Sequence, residues 1–189
     1  MRAAREVFSE LGYDAATFQA IAIRADLTRP AINHYFASKR LLYQEVVEQT
    51  NALLVESAVT HSQREGTLPG RLRAFIRAAV AAQGQDRSVA AFLVTSVLES
   101  QRHPDLNQDD NDSMNFTRGF VTSAIKDAIE AGEIRADIDV SSAAEMLMAV
   151  MWGLGFYAGF VADRERLSAL TDQFLELLSG QMWRAADRA

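Results

Sequence analysis

The chain has 189 residues, 49% of them hydrophobic, and a formal net charge of −6 at pH 7. That length fits one domain, or a small module joined to a larger one, and the composition supports a packed core. It contains no cysteine, which excludes a disulfide framework, a zinc–thiolate site and cysteine catalysis.

Apolar residues recur at helical spacing almost throughout, so the expected fold is all-α, with about nine helices. Helix 1 is expected over residues 2–11, with Ala4, Val7, Phe8 and Leu11 on one stripe and Gly12 as its stop. Thr17 is placed to cap helix 2, which runs to Ala25 and buries Phe18, Ile21 and Ala22. Thr28 caps helix 3, and Pro30 sits in its first turn, where a missing N–H costs nothing. Ile32 and Phe36 face inward there, and Leu27 joins the same core. Ser38 caps helix 4, which carries Leu41, Leu42, Val46, Leu53 and Leu54 to about Ser62.

Gly66, Pro69 and Gly70 mark the best boundary in the chain. Helix 5 follows from Pro69 to Gln83, and helix 6 from Ser88 to Arg102. The polar, acidic stretch from His103 to Asp112 reads as an exposed loop. Helix 7 runs from Ser113 to Ala131 and Gly132 to Asp139 is a turn. Helix 8 starts near Val140 with Ser141 or Ser142 as cap, and helix 9 spans Arg164 to Trp183. Met146 to Ala162 is free of charge over 17 residues and contains Gly155-x-x-x-Gly159. It is at the lower edge of a membrane span. Glu145 and Asp163 bound it tightly and amphipathic helices flank it, so it reads as a helix of a soluble protein, buried on two sides.

No secretion leader is expected, because Met1 runs straight into an amphipathic helix. The two Asn-x-Ser/Thr matches at Asn111 and Asn115 then carry no meaning. The expected location is the cytoplasm, with no membrane association. His34, His61 and His103 are far apart and no HExxH pattern occurs. No metal, no cofactor and no catalytic constellation is therefore expected.

Thr17 to Lys39 is the most informative segment. Two short helical patterns meet at a tight turn, and the second packs polar, basic and aromatic residues into two turns. A helix that short holds itself up poorly, so its outer face is for contact. This is the helix-turn-helix arrangement that reads the DNA major groove. The charge distribution agrees. Residues 1–45 carry six Lys and Arg against five Asp and Glu, and residues 46–189 carry thirteen against twenty. Acid is concentrated away from the DNA face. The basic excess is small, so a dimer with two sets of contacts is expected. The division is 1–45 for the DNA-binding domain and 46–189 for a second helical domain.

The chain resembles the TetR family of bacterial transcription regulators. The resemblance rests on Ala3-Ala4 to Phe8, Gly12-Tyr13, Thr17, Ile21-Ala22, Ala25, Leu27-Thr28, Ile32-Asn33, Phe36, Ser38-Lys39 and Leu41-Leu42. Ala131-Gly132-Glu133-Ile134-Arg135, with Asp137 and Asp139, and Trp152-Gly153 add weaker support. Three departures stand out. Asp26 replaces the usual turn glycine, and aspartate tolerates the left-handed conformation better than most residues. Asn33 stands where tyrosine is commonest. The match begins inside the family's first helix, without the usual basic arm, and if the arm is absent DNA affinity should fall.

The resemblance implies that the N-terminal half of helix 3 enters the groove of a pseudo-palindromic operator. Arg29 would bridge guanine O6 and N7, Asn33 would serve a base edge, and Pro30 and Ala31 would touch a thymine methyl. Thr28 caps that helix at the DNA face. His34 and Tyr35 would contact phosphate or base through their polar tips, the alternative being packing against helix 1 or helix 4. Thr17 and Lys39 would hold phosphates at the starts of helices 2 and 4.

The resemblance also implies a ligand pocket among helices 4 to 8. Its candidate lining is Phe75, Phe92, Phe116, Phe120, Met148, Met151, Trp152, Phe156 and Tyr157, although aromatic and methionine residues at this spacing also read as plain core. Asn115, Arg118 and Glu99 are the polar exceptions on inward positions. The implied effector is small, lipophilic and uncharged or weakly polar, with an acyl chain as one form. A homodimer interface is implied on helices 8 and 9, through Leu167, Leu170, Phe174, Leu177, Leu178 and Met182. The expected function is a ligand-responsive repressor released from its operator by that effector; an activator or co-repressor response is the other sign. A helical binding protein without DNA binding and an all-α enzyme are the rival classes.

Overall fold

The structure is a computed structural model that describes residues 1–62, 64–86, 88–106, 113–161 and 163–180. Among these residues every regular element is helical. The order is α1 (Arg2–Ala15), α2 (Phe18–Arg24), α3 (Arg29–Tyr35), α4 (Lys39–Ser62), α5 (Leu68–Gln85), α6 (Ser88–Arg102), α7 (Ser113–Glu130), α8 (Val140–Phe156) and α9 (Arg164–Leu178). A 3₁₀ turn at Pro104–Leu106 follows α6, and a π-helical turn at Tyr157–Val161 extends α8.

Two cores organise the chain. The first joins α1 to α4 around Phe8, Ile21, Ala22, Ile32 and Val46, and it also takes Phe92 from α6 and Leu106 from the 3₁₀ turn. The second lies between α5, α7 and α8, around Leu72, Val121, Ile125, Leu147 and Met148. The N-terminal head is therefore not an independent ball. Phe92 sits 5.5 Å from the Tyr43 ring and 6.4 Å from Phe8, so α6 supplies part of the head's own interior.

Several local expectations shift for definable reasons. Gly12 ends the first helical run as expected; its φ of 75° and ψ of 172° make a kink, and one further turn follows to Ala15. The kink brings Tyr13 against Phe8 and Tyr43, and Leu11 is left 50% exposed. On α4 the buried stripe is Leu42, Tyr43, Val46 and Thr50, so Leu41 and Leu53 face outward. Leu27 is 54% exposed rather than core. Its backbone N–H closes the end of α2 on the Ala22 carbonyl at 2.9 Å. The cap of α8 is Asp139, which accepts from the Ser141 N–H at 3.0 Å, and not a serine. The start of the expected 103–112 loop folds back, and Leu106 is buried in the first core; residues 107–112 lie outside the described residues. Helix α9 ends at Leu178, followed by Ser179 and Gly180 with φ 70°.

Val140–Val161 is long and apolar enough to cross a membrane. One side of it packs on α6 and α7, and its exposed apolar residues include Met146, Phe156, Tyr157, Phe160 and Val161. The π turn opens a groove of about 340 Å³ against α9, lined by Tyr157, Val161, Ala169 and Leu170 among others. An exposed apolar surface of this kind marks an interaction face.

Candidate nucleic-acid interface

Helix α3 is held by one buried anchor, Ile32, and by its cap. The Thr28 side chain accepts from the Ala31 N–H, with the donor 3.4 Å away, and Pro30 fills the first turn. The rest of the helix is turned outward: Arg29, Pro30, Asn33, His34 and Tyr35 are exposed and Ala31 is half-buried. At 100° per residue, Arg29, Pro30, Asn33 and His34 form one continuous face. Tyr35 lies beside that face, 76% exposed, with its ring edge-on to His34 at 5.3 Å.

The turn before α3 is a closed helix end. Asp26 holds φ 54°, its N–H bonds the Ile23 carbonyl at 3.3 Å, and the Leu27 N–H bonds Ala22. This is the paired C-terminal closure usually completed by glycine. Helix α2 starts at Thr17, whose hydroxyl accepts from the Ala20 N–H at 3.1 Å; Thr17 is exposed. Its other end is braced to α1, because Arg24 spans both oxygens of Glu10 at 2.9 and 2.6 Å and reaches Glu6 at 3.2 Å. The hydrogen bond from Arg24 holds the Glu10 carboxyl below the ordinary carboxylate range.

Lys39 has a position that spacing did not indicate. Its ammonium donates to the carbonyls of Tyr13 and Asp14 at 2.7 and 3.0 Å and lies 4.5 Å over the Tyr13 ring. It ties the start of α4 to the end of α1. The adjacent Arg40 is exposed, with its only charged neighbour among the described residues at Asp105, 4.0 Å away.

The nine aromatic and methionine residues proposed for an effector pocket fall in four places. Phe75 and Phe120 stack at 4.7 Å in the second core with Met148, Met151 and Trp152. The indole Nε1 of Trp152 is buried with no hydrogen-bond partner among the described residues. Phe92 belongs to the first core. Phe116 is at an edge, and Phe156 and Tyr157 belong to the exposed end of α8. Of the polar exceptions, Arg118 pairs with Glu145 at 2.8 Å and bonds Asn115 at 2.8 Å, whereas Glu99 is buried near His103 at 3.7 Å. On α9, Leu167 is 1% exposed and packs on Ala158, Phe174 and Leu178 are half-buried, and Leu170 and Leu177 are exposed. Met182 lies outside the described residues.

One buried contact escaped the sequence reading. Arg5 on α1 is 6% exposed. Its guanidinium donates to Ser88 Oγ at 2.9 Å and to Asp86 at 2.5 Å, joining the head to the start of α6. The signal was available: an arginine three residues before the buried Phe8 occupies an apolar-stripe position.

An outward recognition helix capped and braced by its neighbours, on a helical body, defines a helix-turn-helix regulator. Residues 1–46 match the tetR family of bacterial regulatory proteins, and residues 69–180 match the C-terminal part of BetI-type transcriptional repressors. The chain belongs to the TetR family. It is a DNA-binding transcriptional regulator. It is 26% identical to the HTH-type transcriptional regulator UidR of Escherichia coli K12 over 155 residues, 82% of this chain and 76% of UidR. The regulator FadR of Bacillus subtilis, solved in complex with stearoyl-CoA, has the same fold, with a TM-score of 0.76 at 23% identity over 93% of this chain and 94% of FadR. So does AibR, solved with isovaleryl coenzyme A and operator DNA, with a TM-score of 0.68 at 17% identity over 93% of this chain and 94% of AibR.

Proposed function

We propose that this protein is a homodimeric repressor acting in the cytoplasm, released from a pseudo-palindromic operator by a small lipophilic effector. The observation that carries the reading is the exposed face of α3, with Arg29, Pro30, Asn33 and His34 standing clear of the head. Arg29 reads a guanine, Asn33 a second base edge, and Pro30 and Ala31 a thymine methyl. Tyr35, Thr17 and Thr28 border that face and contact the backbone. Lys39 supports it by fixing α4, and its ammonium adds positive charge near the phosphates. The working division is 1–45 for DNA and 46–189 for effector and dimer.

The effector site in this reading is the second core, around Phe75, Phe120, Met148, Met151 and Trp152. The orphaned Trp152 N–H is a donor suited to a carbonyl or ester oxygen on an otherwise apolar ligand. Folds similar to this one hold acyl-coenzyme A esters, so fatty acyl thioesters are the first class to try. The dimer forms through Leu170, Leu177 and the exposed end of α8.

The test is fluorescence anisotropy with duplex DNA from immediately upstream of the gene, against a shuffled duplex, at two salt concentrations. Selective, salt-weakened binding that a long-chain acyl-coenzyme A reverses supports the reading. Equal weak binding to both duplexes would overturn the operator assignment.

A further inference from the structure

Three contacts at the seam between head and body form one continuous path. The π turn at Tyr157–Val161 lies against the first turn of α6. At Gly159 the approach is so close that an added Cβ would stand 2.7 Å from Ala91 Cα and 2.8 Å from Ala91 N. Ala158 beside it is buried and packs on Leu167 and Ala90. The other side of that same turn of α6 is Asp86 and Ser88. Asp86 Oδ1 accepts from the Ser88 N–H at 2.9 Å and from the Ser88 hydroxyl at 2.6 Å, so it caps α6. The remaining oxygen of Asp86 and the Ser88 hydroxyl both accept from Arg5 of α1. Arg2, Glu6, Asp86, Ser88, Ala91 and Gly159 all face one open cleft of about 570 Å³ between head and body.

We propose that Arg5 is a positioning residue for DNA reading. The Arg5–Asp86–Ser88 clamp carries movement of the π turn, through the start of α6, to the orientation of the head. Both oxygens of Asp86 and the Ser88 hydroxyl are engaged at 2.5 to 2.9 Å, so the clamp has one good geometry. The Gly159 contact is backbone on backbone, with no flexible side chain to absorb a displacement. A shift at the body end of α8 therefore has to move α6, and α6 moves α1. The same helix also reaches α4, where Phe92 lies 5.5 Å from the Tyr43 ring. The proposal rests on the dimeric reading, because the orientation of one head matters only relative to the other.

The chain has no cysteine, so single labels can be placed without background. A spin label at Ile23→Cys, on exposed α2, reports the head-to-head distance in the dimer by pulsed dipolar spectroscopy. A label at Glu130→Cys, on exposed α7, reports the body. Gly159→Ala, on the body side of the seam, is expected to shift the head-to-head peak by a few ångströms and leave the body peak in place. Asp86→Asn is expected to broaden the head-to-head distribution, and Gly159→Ala added to it should give no further shift. Arg5→Lys keeps the charge but lacks the Nε donor to Ser88, and should give an intermediate breadth; it carries the test if Asp86→Asn does not fold. A clamp that merely stabilises would lower the melting temperature with the distances unchanged, and that result would overturn the proposal. So would a Gly159→Ala shift that persists in Asp86→Asn. Loss of dipolar signal at both positions would instead sink the dimer, and the coupling with it.

Discussion

The Lys39 ammonium closes the last turn of α1 by bonding the Tyr13 carbonyl at 2.7 Å while resting over the Tyr13 ring. A cation at a helix C-terminus is stabilised by the free carbonyls there, and a charged hydrogen bond contributes about 1.5–3 kcal/mol. Lys39→Met keeps the stem and removes the charge. It should lower the unfolding free energy by about 1–2 kcal/mol in urea titrations. An unchanged urea midpoint would show that the contact contributes nothing in solution.

Arg29 is the one basic residue in the N-terminal half of α3, ahead of Asn33 and His34 on the same outward face. A bidentate contact to guanine contributes about 1–3 kcal/mol of discrimination. Arg29→Ala should therefore weaken operator binding by about 5- to 150-fold per half-site. Binding to shuffled DNA should fall much less. A phosphate contact would behave differently, weakening both duplexes equally and reducing the salt slope by about one. Anisotropy titrations on both duplexes across a salt series separate the two.

Which parts were legible follows from what carries the information. Caps and turns are local: Thr17, Thr28 and Ser38 cap where the spacing places them, with the Ser38 hydroxyl accepting from the Leu41 N–H at 3.2 Å. The outward face of α3 follows from Ile32 being its single buried residue. Contacts between distant segments were not legible. Nothing local distinguishes Phe92 from the other aromatic residues of the body, yet it fills the head's core. Leu11 and Leu41 were misplaced because Tyr13 and Tyr43 occupy the interior positions that helical periodicity assigned to leucine. The pairing of Arg5 with Asp86 spans 81 positions, beyond any period.

Asp26 is the only non-glycine residue with positive φ among the described residues. An L-residue in that conformation carries about 1–2 kcal/mol of strain, less for aspartate than for branched side chains. Asp26→Gly should stabilise the chain by up to about 1 kcal/mol, the gain limited by the extra unfolded-state freedom of glycine. Asp26→Val should destabilise it by more than that. Chemical denaturation of the pair measures the sign directly. A valine variant as stable as the parent would mean that the turn relaxes out of the left-handed region.

Asp86 links stability to pH. Burial alone would raise its pKa, but the hydrogen bonds from the Ser88 and Arg5 side chains and the Ser88 N–H, with the charge of Arg5, outweigh burial and hold it below the ordinary value. A carboxyl depressed in the folded state contributes stability above its unfolded pKa, near 3.9, and loses it as pH falls through the folded value. The contribution should be complete above about pH 5 and shrink below pH 4. Asp86→Asn removes the titrating group. The stability gap between the parent and this variant should then be constant from neutral pH down to about 5 and close progressively below pH 4. Urea midpoints of the two proteins, measured at steps across that range, give the gap directly. A gap that stays open at the acid end would show that the amide simply fits the clamp poorly and that the carboxylate charge is not what Arg5 holds.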